Sequence, residues 1–585
     1  MASNAMTMKL AEAIKTVRAA PQHAKPLEVA LVCGFTPLHL ETFLRAELCR
    51  LLPERLPRVI TGLYGDLVGN LQRVGGASAI VVVVEWADLD PRLDLRRLSN
   101  WEPSQLTDIL FDATQRCEAL QRGIENAAKN FPVAVCFPTL ALPPVSYTSG
   151  ARASEFSLQL RERVASLAAS LAPLAGVKIA DSQRIEKLSL SPRMDVNAYL
   201  LSGFPYTLPH ASALAQVLAQ LVCSPLPKKG LITDLDDTVW RGILGEVGVE
   251  GVSWDLDHHS QIHGLYQQLL HSLAAAGILV AVASKNDLPL VEQAFARKDL
   301  QLREKDVFPL QVHWDAKSQS VSRILKAWNI AADDVVFVDD SPLDLAEVEA
   351  AHPGITCLQF PRDNDQAAYE LLEQLRDLFG KDTIAHEDSL RSSSLRANAR
   401  VLEAGNGSPH SAGEFLQYVE AKLTLNFQKE PFDPRALELV NKTNQFNLNG
   451  RRFQEAEWRS WLSRPEAFTI TVSYEDKYGP LGKIAVVAGS LSKSEGAGKS
   501  LRIETWVMSC RAFSRLIEYQ CLVQLFSKLG VDTIAFDYVP TARNTPMRDF
   551  LQRICGPGAE CRVSLADFMK RCPALSHGVE ELPNG

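Results

Sequence analysis

The sequence predicts an α/β protein of three domains, two built on parallel sheets and a third of α+β type. Short apolar runs alternate with helical stretches between residues 25 and 225, and the alternation restarts at Leu231. After a Gly/Ser-rich stretch, Gly405 to Gly413, three strand-like segments follow one another before the next helix. Strand–helix alternation implies a parallel sheet covered on both faces, whereas strands in succession followed by a helix imply α+β.

In the first region the strands are expected at Leu27 to Cys33, Ala79 to Val84, Pro132 to Cys136 and Val177 to Ala180, with helices at Leu106 to Phe131 and Ser154 to Leu174. The segment PLPKKG (Pro225 to Gly230) is the expected linker. The second domain spans 231–380, with strands at Leu231 to Asp234, Ile278 to Ser284, Phe308 to Val312 and Val335 to Asp339. A charged helical segment (Glu387 to Leu402) and GNGSPHSAG fill 381–413. The third domain, 414–575, has strands at Ala467 to Tyr474, Gly482 to Leu491 and Leu501 to Ser509, then helix Ser514 to Lys528, strand Thr533 to Tyr538 and a short helix near Met547.

A chain of 585 residues is too long for one core and is expected to form about three or four domains. Its net charge of -8 argues against nucleic acid as the main partner, because backbone phosphates demand a clustered basic surface. No apolar run reaches the roughly 18 residues of a membrane span, and MASNAMTMKL lacks a secretory pattern, so the expected location is cytoplasmic with no membrane partner. The eleven cysteines include no C-x-x-C pair, which predicts reduced thiols rather than a disulfide framework or zinc site.

Asp234-Leu-Asp-Asp-Thr238 closes an apolar strand, the edge at which open α/β sheets bind ligands. Two carboxylates two residues apart can share a face. Both on one magnesium ion would leave Asp234 free to attack phosphorus while Asp236 protonates the leaving oxygen and then activates water. Ser284 ends the next strand and offers a hydroxyl to phosphoryl oxygens; Lys317 precedes a helix, where a cation neutralises developing charge. Asp339-Asp340 ends a further strand and completes an oxygen-rich magnesium site. Singly, each reads equally well as a cap, a surface charge or a turn acid. The gaps Thr238 to Ile278 and Ser284 to Lys317 have no room for an inserted cap domain, so the site is expected to be open.

These residues match the four motifs of the haloacid-dehalogenase (HAD) superfamily, whose members pass through an aspartyl phosphate. The resemblance implies Asp234 as nucleophile, Asp236 as acid/base, Thr238, Ser284 and Lys317 on the phosphoryl group, and Asp234, Asp236 and Asp340 on Mg2+, with Asp339 or Asp344 in support. The strings LDDTVWRGILGEVGVEG, VASKN, HWDAKSQSV and VDDSPLDLAEVE, with VNKTNQFNL (Val440 to Leu448) and WVMSCR (Trp506 to Arg511), resemble the FkbH-like family within it. That family loads a phosphoglyceryl group from 1,3-bisphosphoglycerate onto the phosphopantetheine thiol of an acyl carrier protein and dephosphorylates it, for polyketide synthesis. The implied architecture is an SGNH/flavodoxin-like domain, a capless HAD Rossmannoid domain and a GNAT-like acyltransferase domain. Two rival readings stay open: a plain phosphatase, and a carrier-binding scaffold with a vestigial site.

Cys510 stands where the carrier's arm is expected and is a candidate acyl-accepting nucleophile, against the alternative of a buried small hydrophobe. Arg511-Ala-Phe-Ser-Arg-Leu516 lacks both glycines of an RxxGxG pyrophosphate loop, which disfavours free coenzyme A. Asn444 and Asn447, in the amide-dense run from Asn441, are candidates for substrate contact, as are Tyr538, Thr541, Arg543 and Asn544; asparagines also cluster in turns for local reasons. The first domain has Cys33-Gly-Phe-Thr36 where a working SGNH hydrolase has Gly-Asp-Ser, so it is expected to be non-catalytic whatever His210 does. His258, His259 and His263 are expected on the surface of the helix after the first motif.

Overall fold

The computed structural model describes residues 8–98, 101–145, 148–189, 192–223, 226–381, 420–476, 479–493, 499–509, 512, 515–541, 543–556 and 561–582. The expected helix Glu387 to Leu402 and the stretch Gly405 to Gly413 lie outside them. The chain forms two compact units, Met1–Pro225 and Leu226–Gly585.

The first unit is a parallel sheet of β1 (Lys25–Cys33), β2 (Arg55–Thr61), β3 (Ala79–Val83), β4 (Val133–Cys136) and β5 (Val177–Ile179) in the order β2-β1-β3-β4-β5. Every residue of β3 is buried, as a strand covered on both faces must be. Two core clusters cover its faces, one holding Val81 and Val83 and the other Ile80 and Val82. β2 has no counterpart among the strands expected from sequence: it lies at the sheet edge, contains Pro57 and leaves its last residues half-exposed, so it shows no apolar run.

The second unit holds two sheets. β6 (Gly230–Thr233), β7 (Leu279–Ser284), β8 (Val307–Val312), β9 (Val335–Asp339) and β10 (Thr356–Gln359) are all parallel, in the order β10-β9-β6-β7-β8. The order reverses between β6 and β9, which makes their C-terminal ends the switch point where such sheets bind ligands. The segment PLPKKG is tied down on its unit-2 side: the backbone N–H of Lys228 donates to Leu378 and that of Lys229 to Asp334.

The other sheet is mixed: β11 (Lys422–Asn426), β12 (Phe446–Asn447), β13 (Ala467–Asp476), β14 (Gly479–Lys493), β15 (Lys499–Met508), β16 (Thr533–Phe536), β17 (Arg562–Ser564) and β18 (Gly578–Glu581). Its order is β17-β16-β15-β14-β13-β11-β18, with β13, β14 and β15 antiparallel and β15 and β16 parallel. The parallel pair is short, Ser500 to Ile503 against Thr533 to Phe536. Beyond it β12 pairs with the end of β15, Phe446 opposite Met508 and Asn447 opposite Val507. Asn449 secures this wedge, its amide donating to the carbonyls of Glu504 at 2.8 Å and Asp537 at 3.2 Å.

Candidate active site

At the switch point the chain leaves β6 through Asp234, turns at Asp237 in the left-handed region (φ 51°), and pins the turn by Gly242 N–H donating to Asp237. Asp237 tolerates this conformation because a short polar side chain bonds locally. β9 delivers Asp339 and Asp340 beside it, and the helix Lys317–Trp328 delivers Lys317 from its first residue.

Lys317 is the centre of charge. Its Nζ lies 2.5 Å from Asp339 Oδ2, 3.0 Å from Asp234 Oδ1 and 3.4 Å from Asp344 Oδ2, with almost none of its side chain exposed. Burial opposes its charge, but the three carboxylates outweigh burial and hold its pKa above the usual lysine value. Lys285 donates to Asp344 at 2.8 Å. Asp339 is pushed up to about 7 by burial and by Asp234 beside it, and Asp340 is raised for the same two reasons.

Oxygens of Asp234, Asp339 and Asp340 lie within 4.8 Å of one another. Asp234 Oδ1 is buried with no hydrogen-bond partner among the described residues, and Lys317 at 3.0 Å opposes its charge. Converging hard oxygens that repel one another suit a divalent cation with a small oxygen-ligand shell, so the donor set fits magnesium.

Asp236 departs from the expectation that its carboxylate holds the metal. Trp240 Nε1 donates to its Oδ1 at 2.8 Å, the Leu244 N–H to the same oxygen at 3.2 Å, and Asn286 Nδ2 to its Oδ2 at 3.0 Å. These bonds hold it out of the convergent group, where Asp339 takes the place expected for it. Burial raises its pKa to about 6, against the hydrogen bonds from Trp240 and Leu244. A carboxyl near 6 exists in both protonation states around neutral pH, which suits a proton donor that later becomes a base.

Thr238 and Ser284 are buried at the same edge, and Thr238 Oγ1 has no hydrogen-bond partner. The sequence reading missed Asn286 and Trp240; the proximity of Asn286 to Ser284 in VASKN was the available signal, while only the fold shows that Trp240 turns back on Asp236. It also misplaced His263, which is buried, bonds the Thr238 carbonyl at 2.9 Å through Nδ1 and packs against Phe360. His258 is exposed beside Asp255 as expected. Neither stretch between the motifs forms a cap domain: Thr238 to Ile278 holds the short helix Leu244–Val247 and helix Gln261–Ala275, and Ser284 to Lys317 holds helix Leu288–Phe295, a 3-10 turn and β8.

In the mixed sheet the amide-rich run divides by role. Asn447 is buried, accepts from the N–H groups of Asn449 and Gly450 and donates to the Thr443 carbonyl, so its amide is committed to its own turn. Asn441 exchanges two bonds with the Phe453 backbone, and Asn544 donates to the carbonyls of Asn447 and Val539. Asn444 differs: Arg452 donates to its Oδ1 at 2.6 Å, but its Nδ2 is buried without a partner, as is Gln445 Oε1. Cys510, Arg511 and Ser514 lie outside the described residues. Leu516 adopts a left-handed conformation (φ 55°).

In the first unit His210 is fully buried between Thr139 and Ser189, at 2.8 and 2.5 Å, and burial holds its pKa down to about 4. Thr139 in turn donates to Glu85. Glu85, Asp88 and Asp94 line a cavity of about 230 Å³ at that sheet's own switch point. Burial is the main cause that raises both Glu85 and Asp88 to about 7.

No family model matches the chain, and no curated protein matches it. Among solved structures, the N-terminal part of BF1531 from Bacteroides fragilis, described as containing a phosphatase domain complexed with Mg, superposes with a TM-score of 0.52. It is 19% identical and the match covers 64% of this chain and 100% of that one. The fold is shared. A protein from Corynebacterium glutamicum ATCC 13032 Kitasato, 17% identical, covers 26% of this chain and 98% of its own with a TM-score of 0.19, too low to carry weight.

Proposed function

We propose that the second unit is a HAD-type, magnesium-dependent phosphatase. The observation that carries this is the convergence of Asp234, Asp339 and Asp340 on one point at the switch of a parallel sheet, with buried Lys317 against two of them. The phosphatase domain and magnesium named for the Bacteroides structure accord with it. When bound, the ion offsets phosphate charge and orients the ester. An Asp234 oxygen attacks phosphorus, the P–O bond to the leaving group breaks, and Asp236 gives that oxygen its proton. Asp236, now a carboxylate, takes a proton from water as the water attacks the aspartyl phosphate, releasing phosphate and restoring Asp234. Lys317, Thr238 and Ser284 are the groups placed to stabilise the phosphoryl oxygens.

The fuller reading is a glyceryl transferase/phosphatase acting on an acyl carrier protein, with the mixed-sheet domain as a GNAT-like transferase, 1,3-bisphosphoglycerate as donor and the SGNH-like first unit non-catalytic. The FkbH-like strings motivate it, and two features favour a large substrate. Among the described residues no cap domain is inserted between the motif strands, and exposed apolar side chains follow the C-terminal ends of successive strands: Ile243 after β6, Leu288 after β7, Trp314 after β8 and Leu343 after β9. Magnesium-dependent phosphate release that EDTA abolishes, and that Asp234→Asn lowers roughly a thousandfold (about 4 kcal/mol), supports the hydrolytic half; no release from the native chain rules it out. Intact-mass analysis of a carrier after incubation with the bisphosphate tests the transfer half, a mass gain supporting it and an unmodified carrier overturning it.

A further inference from the structure

A cavity of about 140 Å³ lies at the N-terminal edge of the β6–β10 sheet, between Lys228 and Lys229 and the helix Pro434–Lys442. Its cations are matched within its own walls, Lys229 by Asp334 and both Arg435 and Lys442 by Glu438. Arg362, at the opposite edge, is placed differently: its partners belong to the candidate active site.

The end of β10 is its mount. Gln359 donates from its side chain to the Asp340 carbonyl at 3.0 Å, and the N–H of Phe360 donates to the Asp339 carbonyl at 2.9 Å. Phe360 is buried against the rings of His263 and Tyr266, and Pro361 fixes one backbone angle of the step that follows. Arg362 is thereby held over the end of β9. Its Nη1 donates to Asp340 Oδ2 at 3.1 Å and to Asp237 Oδ2 at 2.9 Å, and its Nε lies 3.5 Å from exposed Asp363. The other oxygen of Asp237 is committed to the Gly242 N–H. One guanidinium therefore ties the turn after β6 to the end of β9.

The convergent carboxylates divide between two unlike cations. Lys317 is buried and holds Asp234 and Asp339, whereas the side chain of Arg362 is half-exposed and holds Asp340. A divalent cation that binds this group meets the guanidinium on the same Asp340 carboxylate, and at so short a separation salt screens their repulsion little. A guanidinium also carries more N–H donors than these contacts use, in a planar fork that matches the oxygens of a phosphate.

We propose that Arg362 couples cation and anion at this site: it competes with the divalent cation for Asp340 and, drawn off Asp340 but still held by Asp237, binds the phosphate of the substrate. The inference rests on the phosphatase reading of the same unit. It gives that site a residue that opposes the metal alone and supports the anion once the metal is bound.

The test is calorimetry on the full chain, titrating magnesium chloride without phosphate and then inorganic phosphate at saturating magnesium. The native chain is compared with Arg362→Gln, which keeps an N–H donor for the two carboxylates and loses the charge, and with Arg362→Lys, which keeps the charge and loses the fork. Arg362→Gln is expected to bind magnesium about tenfold tighter and inorganic phosphate about tenfold more weakly. Arg362→Lys is expected to keep the native magnesium affinity and to lose about threefold in phosphate affinity, and it carries the test alone if Arg362→Gln folds poorly. A merely structural tie between two loops would weaken both ligands together. Magnesium affinity that is unchanged or lower in folded Arg362→Gln, or phosphate affinity that neither substitution alters, overturns the proposal. Phosphate release by the native chain is assayed beside it. No release removes the phosphatase reading and this inference with it, whereas release with both affinities indifferent to Arg362 removes the inference alone.

Discussion

Two aspartates two residues apart have been given different tasks by their neighbours. Asp234 faces Lys317 and other carboxylates, whereas Asp236 is turned aside by the Trp240 indole, the Leu244 N–H and the Asn286 amide. Because the indole N–H stabilises the ionised form, Trp240→Phe is expected to move the Asp236 inflection in the kcat/KM pH profile upward from about 6, with the fold kept by the retained aromatic ring. An unmoved inflection would deny the indole that role. Lys317→Met is expected to cost about 3–5 kcal/mol in EDTA, since it leaves buried Asp234 and Asp339 without their counter-charge. Magnesium replaces that charge, so its addition should raise the Tm of the variant more than that of the native chain; equal shifts in thermal melts would contradict this. The acids, Ser284 and Lys317 were legible in sequence because each sits at a strand or helix end. Which oxygen faces the metal was not, because the hydrogen bonds that turn Asp236 away come from residues four, eight and fifty positions distant.

At the level of elements, strands with an apolar run were readable, the edge strands β5 and β8 among them, and margins without one were not. β3, β7 and β9 are unbroken apolar runs, while β2, β10, β11 and β18 lie at or next to sheet margins, with only partial burial and no long apolar pattern. The amide-rich run read as a possible substrate contact; in the fold Asn441 and Asn447 serve their own backbone turns, Asn449 bridges the β15–β16 junction, and Asn444 keeps an unmatched donor. A mixture of locally satisfied and unmatched asparagines cannot be sorted by composition, since both kinds share one side chain. The wedge makes a clear prediction. Asn449→Ala removes a donor shared by two strand carbonyls and is expected to cost about 1–3 kcal/mol. Hydrogen exchange should quicken at 503–508 and 537–539 while phosphate release persists; unchanged exchange would show that the wedge holds without its amide.

For the molecule as a whole, the first unit has its own response to pH. Glu85 and Asp88 have pKa values raised from 4.5 and 3.8 to about 7 in the fold. Between roughly pH 4 and 7 these two carboxyls keep protons that the unfolded chain has released, so they make stability fall as pH rises, by up to about 1.4 kcal/mol per group for each pH unit; His210, held down to about 4, acts oppositely below pH 6.5 but is one group against two. Exchange protection in β3 and β4 should therefore be greater at pH 5.5 than at 7.5, and Glu85→Gln should flatten the difference. Protection that rises with pH would refute it. In the second unit, the candidate active site and the cavity beside Lys228 and Lys229 occupy opposite edges of one sheet, and the five steps from Lys229 to Asp234 correspond to about 16 Å. Under the transferase reading proposed above, a group handled at both edges would have to travel around the sheet, on a leash or free. It would be open to capture on the way: excess unlabelled carrier, or an unrelated phosphatase, added during turnover would divert it, and the fraction diverted would measure how short the leash is.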